Sequence, residues 1–139
     1  DFLRAPYAGV KGKAELAVSP YFHPILPLLC DMKVAQTAMP RATLPAARFR
    51  HPEDARSQVA SAMAYFEETF GFAPAGMWPS EGSVSDEALA IIAECGLKWA
   101  ASDEEILAHS IPGGLGPGRG PRRGRGRAAR LPAPDPASR

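Results

Sequence analysis

Apolar and polar positions along the first hundred residues alternate between short apolar runs and helical stripes. Residues 12–19, GKAELAVS, end in an apolar run that predicts a strand. Tyr21 to Cys30, YFHPILPLLC, opens at a proline-controlled turn and predicts an apolar helix continuing through Ala38. Pro24 and Pro27 fit only near that helix start, where missing N–H groups cost little. Met39 to Phe49 lacks periodicity and holds Pro40 and Pro45, as a loop does. A long helix begins at Pro52, with Glu53 and Asp54 favouring its positive end; Val59, Met63, Phe66 and Phe70 share one face, and Gly71 is its stop. Ala73 to Trp78 reads as a buried strand. Val84 to Glu94 reads as a helix with Ser83 and Asp86 as a capping box and Gly96 past its end. Leu97 to Ala101 reads as another buried strand, and Ser102 with Glu105 caps a last helix that fades near His109. This alternation predicts an α/β parallel sheet or barrel. Three strands cannot close a barrel, and an open three-stranded parallel sheet exposes both edges. Residues 1–109 are therefore expected to be part of a larger domain.

Composition changes the picture only when the chain is divided. The whole has 139 residues, enough for one ordinary domain, and a formal net charge of +1. Residues 1–109 carry nine Lys and Arg against fourteen Asp and Glu, whereas residues 110–139 carry seven Arg and only Asp135. Arg, Gly, Pro and Ala supply 24 of the 29 residues from Ile111 to Arg139, where only Ile111, Leu115 and Leu131 are large and apolar. Such a segment buries too little surface to offset roughly 1–2 kcal/mol of backbone entropy per residue, so residues 110–139 are expected to be disordered. Two readings of it remain open. GRGPRRGRGR is a cation run that attracts phosphate, which would make the protein a small α/β module with an arginine-rich nucleic-acid-binding tail. No aromatic residue interleaves the arginines to stack on bases, however, and the same composition arises when a GC-rich gene is read out of frame. The composition favours the frameshifted terminus. No apolar run is long enough for a membrane span, and two cysteines make no disulfide scaffold. No signal peptide is visible, which points to the cytoplasm, and Asp1 in place of Met points to an internal fragment.

The best candidate for chemistry is GMWPSEGSVS. A buried strand ends at Trp78, Pro79 forces a turn, and Glu81 stands before a helix; reacting groups collect at such strand ends in α/β barrels. A carboxylate beside an indole face suits sugar chemistry, because a flat aromatic stacks on a sugar ring. Alternatively, Glu81 does no more than cap the following helix. Glu15 and His23, near the earlier strand, offer a second carboxylate and a hydrogen-bonding group, though each also reads as an ordinary surface acid or turn histidine. His23, His51 and His109 show no metal-ligand spacing with Cys30 and Cys95, which read as buried thiols. GGLGPGRG has neither strand nor helix around it, so it is no phosphate-binding loop.

Three segments together, GKAELAVSPYFHPILPLL, RFRHPEDARSQVASAMAYFEETFG and GMWPSEGSVSDEALAIIAECGLKWAASDEEIL, resemble glycoside hydrolase family 57. The likeness covers Gly12 to Ala108. It implies a retaining enzyme of α-linked glucans and related oligosaccharides, on an incomplete TIM-like (β/α)7 barrel, with no metal or organic cofactor. Glu81 matches the glutamate of the family's W-x-x-E motif, the catalytic nucleophile. Trp78 matches the tryptophan lining the sugar site. Glu15 matches the glutamate of the G-x-I-E segment, with Ala14 in place of Ile, and His23 matches the His-Pro of H-P-I-L-P-L-L; both are implied to hold substrate. The family's opening His-Gln-Pro motif has no counterpart, and its acid/base aspartate belongs to a later motif that Asp103 does not match. A retaining glycosidase needs two carboxyl groups about 5–5.5 Å apart. The chain alone is therefore expected to fold marginally and to hydrolyse little or nothing; a carbohydrate-binding remnant without chemistry is a further alternative.

Overall fold

The computed structural model describes residues 5–7, 12–104, 106 and 126–131. The first apolar helix is broken. It consists of α1, Leu26–Cys30, a 3-10 turn at Met32–Val34, and α2, Ala35–Ala38. Asp31 makes the break: its backbone is extended (φ −163°, ψ 116°) and its carboxylate accepts the Lys33 N–H at 3.0 Å while pairing with Arg48. A short acidic side chain bonded to the backbone two residues on competes with the helical ladder, so the single helix expected through Ala38 does not form.

The long helix α3 spans Pro52–Phe70 and ends at Gly71, whose left-handed φ of 79° lets its N–H reach the Glu67 carbonyl. Ala55, Val59, Ala62 and Phe66 form its buried stripe, with Met63 packed at the margin of the core. After β1, Gly76–Met77, the chain makes a 3-10 turn at Ser80–Gly82 and enters α4, Asp86–Glu94. The cap of α4 is Ser85, whose hydroxyl accepts the Ala88 N–H at 3.3 Å, rather than Ser83. Strand β2 follows at Trp99–Asp103 and includes Ser102, so Ser102 does not cap a helix. Residues 107–109 of the expected last helix lie outside the described residues.

In the sheet β1 runs parallel to β2, with Gly76 opposite Trp99 and Met77 opposite Ala100. On the other side of β1, Val18 bridges Met77 in parallel; it donates to the Gly76 carbonyl at 3.0 Å and accepts the Trp78 N–H at 2.9 Å. Three chain segments thus run in the parallel order the alternation predicts. The free edge of β2, however, is covered by β3, Gly126–Arg130, which pairs antiparallel from Trp99↔Arg130 to Asp103↔Gly126. The sheet is mixed rather than purely parallel.

Strand β3 also corrects the expectation that residues 110–139 lack structure, as far as Gly126–Leu131. Pairing is made by backbone groups and does not need large side chains. The segment is further held where Leu131 donates to the Lys98 carbonyl at 2.9 Å and buries its side chain in the core. Residues 110–125 and 132–139 lie outside the described residues. The core is one cluster of α1, α3, α4 and the sheet, built from Leu26, Val59, Met77, Ile92, Leu97 and Ala100 among others. Cys30 lies inside it, and burial, reinforced by the Glu87 charge, pushes its thiol up to about 11. Cys95 is half-buried and also shifted upward by burial. No helix among the described residues is long and apolar enough to cross a membrane.

Candidate functional site

Glu81 follows the C-terminal end of β1. Pro79 is buried and extended (φ −58°, ψ 146°), and the chain turns sharply after it. Glu81 then takes a left-handed backbone, φ 58° and ψ 20°, with its residue exposed to solvent. Gly82 repeats the left-handed turn at φ 63°. Its N–H donates to the Pro79 carbonyl at 2.9 Å, and Ser83 donates to Ser80 at 3.1 Å. A side chain on Gly82 would stand 3.2 Å from the Asp103 backbone nitrogen and 3.6 Å from the Trp78 ring. The Gly82 carbonyl accepts the Ser102 hydroxyl at 2.7 Å. The turn is therefore seated on the last two residues of β2.

A left-handed conformation costs a residue with a Cβ roughly 1–2 kcal/mol. Among the described residues, two non-glycine residues adopt it, and they are Glu81 and His23. His23, at φ 57°, donates its N–H to Pro20 at 2.9 Å, just beyond the Val18 segment. Its turn is pinned to α3, where Gln58 accepts from the Tyr21 and Phe22 N–H groups, at 3.2 and 2.9 Å. Both strained residues thus follow parallel segments at the same end of the sheet. Trp78 belongs to that end too; its ring packs at Gly82 and remains 36% exposed.

Glu15 is placed differently. It accepts a hydrogen bond from the Trp99 indole N–H at 2.7 Å, and Trp99 is the first residue of β2. The Trp99 ring lies so close over Gly76 that a Cβ there would fall 1.9 Å from it. Glu15 therefore engages the strand-start end of the sheet while Glu81 follows the strand ends, and the structure does not bring the two carboxylates together. The helix-capping alternative for Glu81 also fails, because Ser85 fills that role four residues later.

Ser80, beside Glu81, is 1% exposed, and its hydroxyl has no hydrogen-bond partner among the described residues. Two recesses, of about 450 and 510 Å³, lie elsewhere: one between Cys30, Asp31 and the start of α4, the other an apolar groove around Leu28, Met32 and Phe49. The surface at Glu81 belongs to neither. No group of three or more metal-ligating side chains occurs among the described residues. Residue-by-residue reading missed Ser102, Gly82 and Trp99, whose partners stand 20 to 84 positions away in sequence.

The sequence model of glycosyl hydrolase family 57 matches residues 8–122. The chain belongs to glycosyl hydrolase family 57. No curated protein and no solved structure matches it. Family 57 members are enzymes that cleave glycosidic bonds, and their class of substrate is carbohydrate. The family's fold is a TIM-like barrel; the described residues form a small mixed three-stranded sheet and helices.

Proposed function

We propose that this chain carries the nucleophile half of a retaining family 57 site acting on α-linked glucans or related oligosaccharides, on part of a (β/α)7 barrel. Glu81 is the nucleophile. Its carboxylate oxygen attacks the anomeric carbon, the bond from that carbon to the leaving oxygen breaks, and a general acid protonates the leaving oxygen. Water then attacks the same carbon, gives up a proton, and frees the Glu81 carboxylate. Trp78 stacks on the sugar ring, and His23 hydrogen-bonds its hydroxyls. Glu15, bonded to the Trp99 indole at the other end of the sheet, is given no sugar contact in this reading.

The observation that carries this reading is the exposed Glu81 held left-handed at the C-terminal end of β1. Strain of this kind persists only where surrounding structure over-determines it, and it concentrates at functional sites. The general acid has no matched carboxyl group in this sequence, and such assistance is typically worth 10²–10⁴-fold. The chain alone is accordingly inactive, or nearly so, on maltooligosaccharides. A glucosyl fluoride needs no such help, because fluoride leaves unprotonated. Fluoride release from α-glucosyl fluoride, measured beside maltooligosaccharide hydrolysis, tests the proposal. The expected result is release by the unaltered chain, none by Glu81→Gln, and no maltooligosaccharide turnover by either. Equal release by both would overturn Glu81 as nucleophile.

A further inference from the structure

From the contacts at the end of β2 we infer that Ser102 is a positioning residue for Glu81, fixing the turn that aims its carboxylate. The inference rests on the reading of Glu81 as nucleophile for its catalytic meaning, and on geometry alone for the positioning.

Glu81 lies in a turn with two consecutive left-handed residues, a conformation its own side chain disfavours. Something outside the turn must hold it. Within the turn, the Gly82 N–H bonds to Pro79 at 2.9 Å, which closes the loop but leaves its tilt against the sheet undetermined. That tilt is set at the Gly82 carbonyl, which accepts the Ser102 hydroxyl at 2.7 Å from a half-buried position on β2. Gly82 itself is buried, and a Cβ there would sit tight against the Asp103 backbone nitrogen at 3.2 Å, with the Trp78 ring in ordinary contact at 3.6 Å. Glycine permits the close approach, and the serine hydroxyl fixes its direction. Strand β3 pairs Ser102 on one side, opposite Arg127, and β1 reaches only Trp99 and Ala100, so on its other side Ser102 is left to anchor the turn that follows β1. The Trp78 ring against Gly82 ties the stacking surface to the same anchor.

Replacing Ser102 with alanine leaves the Gly82 carbonyl without this donor and lets the turn shift; threonine keeps the hydroxyl and suits a strand. The test uses the full chain with 5-fluoro-α-glucosyl fluoride, which traps the nucleophile as a glucosyl ester without a general acid. The expected result is about tenfold slower trapping by Ser102→Ala, the effect of losing one hydrogen bond of ordinary strength. Ser102→Thr is expected to restore the rate, and the thermal midpoint of Ser102→Ala to stay near that of the unaltered chain. Trapping by Ser102→Ala at the unaltered rate would overturn the inference, as would slowing that follows a fall in thermal midpoint and is not reversed by threonine. If the unaltered chain is not trapped, the nucleophile reading fails, and the positioning is decided by NMR of the same proteins. Glu81 backbone shifts moved by Ser102→Ala and restored by Ser102→Thr support it; shifts unchanged in Ser102→Ala overturn it.

Discussion

Glu81 and Gly82 share a left-handed turn, yet only Gly82 has the residue type that suits it. Relieving the strain at Glu81 should therefore stabilise the protein. Glycine removes roughly 1–2 kcal/mol of left-handed strain and adds about 0.5–1 kcal/mol of unfolded-chain entropy. Glu81→Gly is accordingly expected to raise the unfolding free energy by about 0.5–1 kcal/mol in urea titration, while fluoride release is lost. A residue that destabilises its own fold where chemistry is placed behaves in this way; a destabilised Glu81→Gly would show that the side chain supports the fold instead. At this scale the placement of Glu81 and Trp78 after a strand is legible, because the signal is a short motif after a predicted strand. The contact of Glu15 is not. Its bond to Trp99 spans 84 positions, and nothing local to GKAEL announces it.

Among the elements, α3 was the most legible, because its start, stripe and stop all lie within one contiguous stretch. Pro52, the acidic first turn, and Gly71 appear where the sequence places them. The segment after Tyr21 has the pattern of one helix, but Asp31 breaks it by bonding the Lys33 N–H and Arg48, the latter seventeen residues on and invisible to local pattern. The start of α4 turns on choosing between two serines; both have extended backbones, and it is the Ser85 hydroxyl that accepts the Ala88 N–H at 3.3 Å. Ser85→Ala is expected to cost about 1 kcal/mol in thermal or urea unfolding, and Ser83→Ala much less. Equal losses would contradict the assignment. Helices α3 and α4 are also joined across their exposed faces by Arg56 to Glu94, and Arg50, just before α3, pairs with Glu87 on α4. Solvent-exposed pairs of this kind are worth at most about 1 kcal/mol each, so the helices are held mainly by the apolar core between them.

For the whole molecule, the largest difference from the sequence reading is the Arg- and Gly-rich segment, part of which completes the sheet. Composition argues about how much surface a segment buries by itself, whereas β3 takes its hydrogen bonds from an edge that β2 already offers. Leu131, the last large apolar residue, joins the core. Leu131→Ala is therefore expected to lower the unfolding free energy by about 2 kcal/mol, the low end for a buried leucine; no loss would mean that the segment does not pack. Acid sensitivity is a second property of the whole fold. Pairing with Arg48 and the Lys33 N–H holds the Asp31 carboxyl down at about 2, below its ordinary 3.8. A carboxylate with a depressed folded value contributes stability that is complete above its unfolded value and fades as pH falls from there through about 2. Asp31→Asn is expected to flatten unfolding midpoints measured from pH 5 to pH 2; an unchanged slope would contradict the pairing.

The central claim is that Glu81 forms the bond to sugar. Peptide mapping by mass spectrometry after reaction with 5-fluoro-α-glucosyl fluoride tests it most directly. One fluoroglucosyl group on Glu81, absent from Glu81→Gln, is the predicted result; the group on Glu15 or Asp103, or on no carboxylate at all, would contradict it.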